Sequence, residues 1–370
     1  MKERLHNKIQ QLIENDNCRV LPEPPNKAIE LSSNDYMGIG QNISLQRSFF
    51  EQLSKDDFVM GACSSRLLTG NHLAFKSLEN LLQSLYKKEE CMLYNSGYHA
   101  NIGILPTLTT KRDLIISDQF IHASILDGIK LSEAQKWRFR HNNYTQLSQY
   151  LENHRKEYDQ VIIVVESIYS MDGDHANLKE LVEIKNRFHC LLYVDEAHAF
   201  GVTGKYGLGN AEEEGIIQEI DFIIGTFGKA ISSQGAFVVC DKIFKTWLTQ
   251  KSRSLIYTTA LPEINIRWSQ YVIEYLYTKE DQRKRLQNLA RDFAKRLNVV
   301  SDSHIIPYLI GSNEHAMLFS ERLAKYGISS LPIRHPTVPK GTARLRLSLT
   351  STLTEQDLSK VIDTLKTIQV

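Results

Sequence analysis

Lys229 lies near the end of Phe222-Ile-Ile-Gly-Thr-Phe-Gly-Lys-Ala230, where an apolar run that reads as a buried strand gives way to a small polar turn. An ammonium ion beside a buried strand loses hydration unless it is paired, deprotonated or covalently consumed. A neutral lysine amine is a nucleophile for aldehydes, and the aldehyde that proteins most often hold this way is pyridoxal phosphate (PLP). Most lysines are simply solvated, so the segment gains weight only from its neighbours. Upstream, Cys190-Leu-Leu-Tyr-Val-Asp-Glu-Ala-His-Ala199 is another apolar run, and it ends in Asp195 and His198. A carboxylate at a strand end is costly without a positive partner, and the protonated pyridine nitrogen of PLP is such a partner. His198 is spaced to reach the ring hydroxyl and the Schiff base. Acid, histidine and lysine at successive strand ends fit the rule that open α/β sheets bind ligands at the carboxyl ends of their strands.

Other elements must position these groups. Cys91-Met-Leu-Tyr-Asn-Ser-Gly-Tyr-His-Ala-Asn101 reads as a strand that ends in Asn95-Ser96-Gly97 before a helix from Tyr98. Ser96, Gly97 and the first helical N–H groups there can hold a phosphate, aided by the helix dipole. Tyr98 can pack near the cofactor or serve as a core aromatic. Asp113 to Asp118 reads as a strand, and His122 falls at the junction with the next helix, placed to stack on a flat ring. Val161-Ile-Ile-Val-Val-Glu166 is a continuous buried strand, after which Ser170 and Asp172 can bond ring substituents or order the loop. The small-residue loop Gly61 to Gly70 lacks the Walker ending, and the glycine-rich Gly201 to Gly209 follows a strand without opening an apolar helix, so it reads as a loop.

Continuous apolar strands alternating with amphipathic helices predict a mainly parallel sheet covered on both faces. Leu5, Ile9 and Leu12 predict a short amphipathic N-terminal helix. A helix from His72 to Tyr86, a mostly helical stretch over 263–299, a strand over Thr342 to Leu349 and a helix begun by Thr354-Glu-Gln-Asp357 follow. The expected domains are an N-terminal helix and arm (1–45), a large α/β domain (46–255) that would bind PLP and a small C-terminal α+β domain (256–370).

The chain has 370 residues and a net charge of +1, with no basic block that would mark a nucleic-acid partner. Its apolar residues come in short runs, none long enough to span a bilayer. The charged start Met-Lys-Glu-Arg-Leu-His-Asn-Lys has no apolar signal core, so a cytoplasmic location is expected. The five cysteines lack metal-ligand spacing, and no metal site is expected; Cys190 and Cys240 lie in strand-like runs and read as inert core thiols.

Taken in order, Ser33-Asn-Asp-Tyr-Met-Gly38, Asn95-Ser-Gly-Tyr98, His122-Ala-Ser124, Ser170-Met-Asp-Gly-Asp174, Asp195-Glu-Ala-His198, Thr226-Phe-Gly-Lys229 and Pro336-Thr-Val-Pro-Lys-Gly-Thr-Ala-Arg-Leu-Arg346 resemble the α-oxoamine synthase family. That is a fold-type-I group of PLP enzymes. The resemblance implies a large parallel-sheet domain with a smaller α+β domain. It implies that Lys229 forms the Schiff base with PLP, Asp195 binds the pyridine nitrogen, His198 and Ser170 contact the ring hydroxyl region, His122 stacks on the ring, and the freed Lys229 amine, or His122 acting with it, removes the substrate's α-proton. Ser96, Gly97, Tyr98 and Thr226 would hold the phosphate. Thr258 and Thr259 match a segment that reaches the phosphate of a neighbouring subunit, implying a homodimer with shared sites. Asn34 and Arg346 match positions for the amino-acid carboxylate, and Arg19 and Thr337 match positions near the acyl substrate. The run from Arg334 to Arg346 most resembles members that condense L-alanine with a pimeloyl thioester, carried on coenzyme A or acyl carrier protein. Sister members use glycine or serine. In this chain Cys63-Ser64 replaces a glycine pair and Asn177 replaces a proline.

Overall fold

The computed structural model describes residues 1–15, 17–18, 21 and 29–368. Among these residues the strands are, in chain order, β1 (Ile29–Glu30), β2 (Glu90–Tyr94), β3 (Leu114–Asp118), β4 (Gln135–Phe139), β5 (Val161–Glu166), β6 (Leu191–Asp195), β7 (Phe222–Thr226), β8 (Ala236–Cys240), β9 (Ile305–Gly311), β10 (Ile328–Ser329), β11 (Leu331–Ile333) and β12 (Ala343–Ser348). The chain divides into two compact units: 37–169 with 175–283, and 1–36 with 170–174 and 284–370. In one unit β1 pairs with β10, which ties the residues just before 36 to the C-terminal part. In the other, helix Glu263–Tyr277 packs on helix Leu73–Tyr86.

The larger unit holds a seven-stranded sheet of order β2-β8-β7-β6-β5-β3-β4. Strands β4, β3, β5, β6 and β7 run parallel, and β8 lies antiparallel between β7 and β2. All six residues of β5 are buried, as a strand covered on both faces requires. β4 had no clear signal in the sequence. It is an edge strand whose Gln135, Lys136 and Arg138 face solvent, and such strands carry charge in place of an apolar pattern. Buried Cys190 and Cys240 are free thiols, pushed by burial up to about 11 and about 12. The smaller unit contains the antiparallel order β11-β12-β9, with a C-terminal helix from Glu355 whose start is capped by Thr354 and Asp357. Helix Lys2–Glu14 forms as its periodicity predicts, with Leu5, Ile9 and Leu12 each about half exposed.

Both departures from the family pattern that fall here have a local explanation. Cys63 has φ +54°, a left-handed conformation that glycine adopts at less cost. Asn177 caps helix Leu178–Phe188 by accepting from the Glu180 N–H, so the position starts the helix without proline.

Helices Gly97–Leu108 and Ala123–Leu131 approach each other closely at Gly128. A Cβ placed there would lie 2.3 Å from the backbone oxygen of Asn101. Gly128→Ala must push the helices apart, and a loss of about 1–3 kcal/mol is expected in denaturant or thermal unfolding.

Candidate active site

Three strand ends of the larger unit carry carboxyl or amine groups next to one another. Glu166 ends β5, Asp195 ends β6 opposite it in register, and Lys229 follows β7 in a bend. Lys229 Nζ lies 2.8 Å from His198 Nε2. Two basic nitrogens at that distance cannot both be protonated without repulsion, so they share one proton. That proton can leave Lys229 through His198, the arrangement an amine nucleophile needs.

Asp195 is buried and no cation among the described residues forms an ion pair with it. Its oxygens accept instead from the Asn101 side-chain amide at 3.1 Å and from the Ala197 N–H at 2.9 Å. Neutral donors hold a buried carboxylate in place without cancelling its charge. The residue is therefore suited to a cationic ligand atom, as the pyridinium of PLP supplies.

Glu166 is also buried, and its Oε1 has no hydrogen-bond partner. Burial, with Asp195 adding, pushes its carboxyl up to about 8, against the opposing effects of Lys229 and the His122 backbone N–H. A protonated Glu166 places no second negative charge beside Asp195. The sequence reading placed Glu166 only as the last residue of a strand.

His122 caps helix Ala123–Leu131, its Nδ1 accepting from the Ser124 N–H at 3.2 Å. Its ring keeps an exposed edge. Partial desolvation pushes its pKa below the ordinary imidazole value, Lys229 contributes in the same direction and Asp195 opposes. A neutral, partly open imidazole suits stacking on a flat ring.

The residues expected to hold a phosphate also lie near one another. Ser96 caps helix Gly97–Leu108 by accepting from the His99 N–H, which leaves the N–H groups of Gly97 and Tyr98 at the open helix start. A Cβ on Gly97 would be 3.8 Å from the Thr226 side chain, so the two border one notch. Asn95 donates to the Thr258 hydroxyl at 3.0 Å and the Thr259 carbonyl at 2.7 Å, which brings that segment beside the helix start in its own chain. The Tyr98 hydroxyl donates to Asp127 at 3.1 Å. Ser96, Gly97, Tyr98 and Thr226, with unneutralised Asp195 and the amine of Lys229, fit PLP.

The remaining expected residues lie in the smaller unit. Arg346 is buried, and its guanidinium donates to the Ser170 carbonyl, the Asn34 side chain at 3.1 Å, the Ser348 hydroxyl at 2.7 Å and the Tyr36 hydroxyl at 3.1 Å. None of these is an anion. Arg344, two residues earlier on β12, is by contrast paired with Asp172. Tyr36, which the sequence offered only as part of the Ser33–Gly38 motif and without a role, donates to Asn34 at 2.9 Å and helps to complete this nest. Thr337 lies in an exposed turn, its N–H bonded to the Arg334 carbonyl at 2.9 Å. Arg19 lies outside the described residues.

A parallel sheet with an acid, a histidine and a lysine at its strand ends defines a PLP-dependent transferase of fold type I. The aminotransferase class I and II family model matches residues 26–365. A relative from Glaesserella parasuis serovar 5 (strain SH0165), provisionally named 8-amino-7-oxononanoate synthase, is 45% identical, with 96% of this chain and 98% of the relative covered. One from Pasteurella multocida (strain Pm70), named in the same way, is 42% identical, covering 93% and 91%. Among solved structures, a variant of serine palmitoyltransferase from S. paucimobilis with a bound PLP–myriocin aldimine has a TM-score of 0.89 at 29% identity, covering 98% of this chain and 96% of that one. An 8-amino-7-oxononanoate synthase from Francisella tularensis has a TM-score of 0.77 at 27% identity, covering 93% and 99%. The chain belongs to the aminotransferase class I and II family and, within it, to the α-oxoamine synthases, PLP-dependent enzymes of acyltransferase type. No helix among the described residues is long and apolar enough to cross a membrane.

The raised carboxyl of Glu166 has a thermodynamic consequence. Its folded pKa, about 8, exceeds the ordinary glutamate value of 4.5, so the folded state binds the extra proton between those values. The resulting stability is fully present below the lower value and is lost as pH rises through the upper one. The PLP-free protein should melt at lower temperature at about pH 9 than at about pH 6, and Glu166→Gln should reduce that fall by a few degrees. An equal fall in both proteins would show that Glu166 does not titrate in this window.

Proposed function

We propose that this chain condenses L-alanine with a pimeloyl thioester, on coenzyme A or acyl carrier protein, to give 8-amino-7-oxononanoate, carbon dioxide and the free thiol in biotin biosynthesis. The observation that carries this reading is the Lys229–His198 contact beside uncompensated Asp195, in a chain 45% identical to a relative bearing that enzyme's name. Bound PLP supplies an aldehyde that condenses with amino groups and a cationic ring that withdraws electrons from the substrate's α-carbon. Asp195 would hold the ring nitrogen protonated, and Gly97, Tyr98 and Thr226 would bind the phosphate. Arg346, supported by Asn34, is the group we assign to the alanine carboxylate, because a buried guanidinium with only neutral partners favours an added anion. Lys229 would take the α-proton, and His198 would receive or return the proton on Nζ. The new carbon–carbon bond joins the α-carbon to the acyl carbon as the thiol leaves. The substrate carboxyl departs as carbon dioxide, and the α-carbon is reprotonated. We further propose that the enzyme is a cytoplasmic homodimer in which Thr258 and Thr259 serve the partner's phosphate site.

A second reading within the family is favoured by the higher TM-score to serine palmitoyltransferase: the same machinery acting on serine or glycine with another acyl chain. The two are separated by thiol release from pimeloyl-CoA by the PLP-loaded enzyme with alanine, glycine or serine. Alanine should give the highest kcat/KM, with 8-amino-7-oxononanoate as product; a clear preference for serine or glycine would overturn the alanine assignment. Lys229→Ala should abolish both turnover and covalent retention of PLP. Arg346→Lys should raise KM for the amino acid by about tenfold or more, equivalent to ~1.4 kcal/mol, with a smaller effect on the thioester.

A further inference from the structure

Asn101 lies on helix Gly97–Leu108, is 1% exposed, and uses its whole side-chain amide. Its Oδ1 accepts from the Tyr193 hydroxyl at 2.6 Å, and its Nδ2 donates to Asp195 at 3.1 Å and to the Ser124 hydroxyl at 2.9 Å. The Ser124 oxygen is in turn 2.7 Å from His122 Nδ1. These bonds have one consistent direction. A carboxylate only accepts, so the NH2 end of Asn101 must face Asp195, and Oδ1 then faces Tyr193. The phenol is fully buried and its pKa is raised well above the ordinary value by burial, so it remains protonated and donates. The second N–H of Asn101 goes to Ser124 Oγ. That oxygen is an acceptor towards Asn101, which leaves the hydroxyl proton for His122 Nδ1. Nδ1 already accepts the Ser124 backbone N–H, so it carries no proton in the neutral ring.

We propose that Asn101 and Ser124 are positioning residues that relay the charge of Asp195 to His122, locking its neutral imidazole with the proton on Nε2, so that His122 is a hydrogen-bond donor and not a proton acceptor. A base needs a lone pair, and the only lone pair on this ring is occupied by Ser124. The ring is then closed to accepting a proton at Nδ1, and its one N–H is on Nε2. Protonating Nδ1 would break both bonds from Ser124, which works in the same direction as the desolvation of the ring. The inference rests on the reading of Asp195 and His122 as parts of the PLP site, but it concerns a tautomer present before any substrate binds.

The test is nitrogen-15 NMR of full-length protein labelled at histidine, without PLP and then with PLP, with His122 assigned by its absence in His122→Gln. The wild type should show a pyridine-type shift at Nδ1 and a pyrrole-type shift at Nε2. Ser124→Ala, which deletes one atom and keeps the helix, should move both shifts towards the averaged values of mixed tautomers. Asn101→Leu should do the same where it folds. A wild-type proton on Nδ1, or a tautomer unchanged in Ser124→Ala, would overturn the relay. Either result leaves the substrate assignment untouched, since thiol release with alanine is read separately.

Discussion

The structure of the larger unit is organised around one buried carboxyl group, Asp195, that forms no ion pair with a cation among the described residues. Removing a carboxylate from water costs several kcal/mol unless its charge is compensated, yet an internal lysine or arginine would close the site to a cationic ring. The fold meets this constraint with dipoles. Asn101 and the Ala197 N–H satisfy the oxygens without supplying net charge, and the neighbouring acid, Glu166, is driven to its protonated form. Two adjacent carboxyls at neighbouring strand ends would repel if both ionised, and burial favours the protonated form of Glu166.

The smaller unit shows the same design with the sign reversed. Arg346 is buried among hydroxyls, an amide and a carbonyl, whereas Arg344 on the same strand is paired with Asp172. The two arginines share a face of β12 because their spacing is two residues, so the difference between them lies in the partner and not in the strand. A guanidinium held by neutral acceptors retains its attraction for an anion, which gives Arg346 a role that Arg344 cannot share.

Much of this arrangement can be read in the sequence because it is local. Lys229, Asp195, His198 and His122 each lie at the end of an apolar run or at a helix start, and the strand-end rule for open sheets points to them without knowledge of the packing. The cap residues Ser96 and Thr354 are legible for the same reason. Asn101 is not legible: its bond to Asp195 spans 94 residues of sequence, and its position depends on the close approach that Gly128 allows between two helices. Tyr36 is hidden in the same way, since its bond to Arg346 spans 310 residues. Glu166 looks like any strand-end acid until its unpartnered oxygen and its neighbour in register are seen. The unit boundary at 36/37 depends on pairing between β1 and β10, two-residue strands too short to leave a periodic pattern.

The site also explains why a histidine serves as a helix cap at His122, where serine, threonine, asparagine or aspartate is the usual choice. A hydroxyl or carboxylate at that position would satisfy the free Ser124 N–H equally well, but it would offer no flat, polarisable face. Imidazole does both only if one nitrogen is committed to the helix and the proton is on the other. Capping and tautomer are therefore a single constraint: the N–H that must be satisfied for helix Ala123–Leu131 to begin is also one that keeps Nδ1 unprotonated. Ser124 links this local requirement to Asp195 through Asn101. Helix stability, ring orientation and the charge at the end of β6 consequently depend on the same few hydrogen bonds.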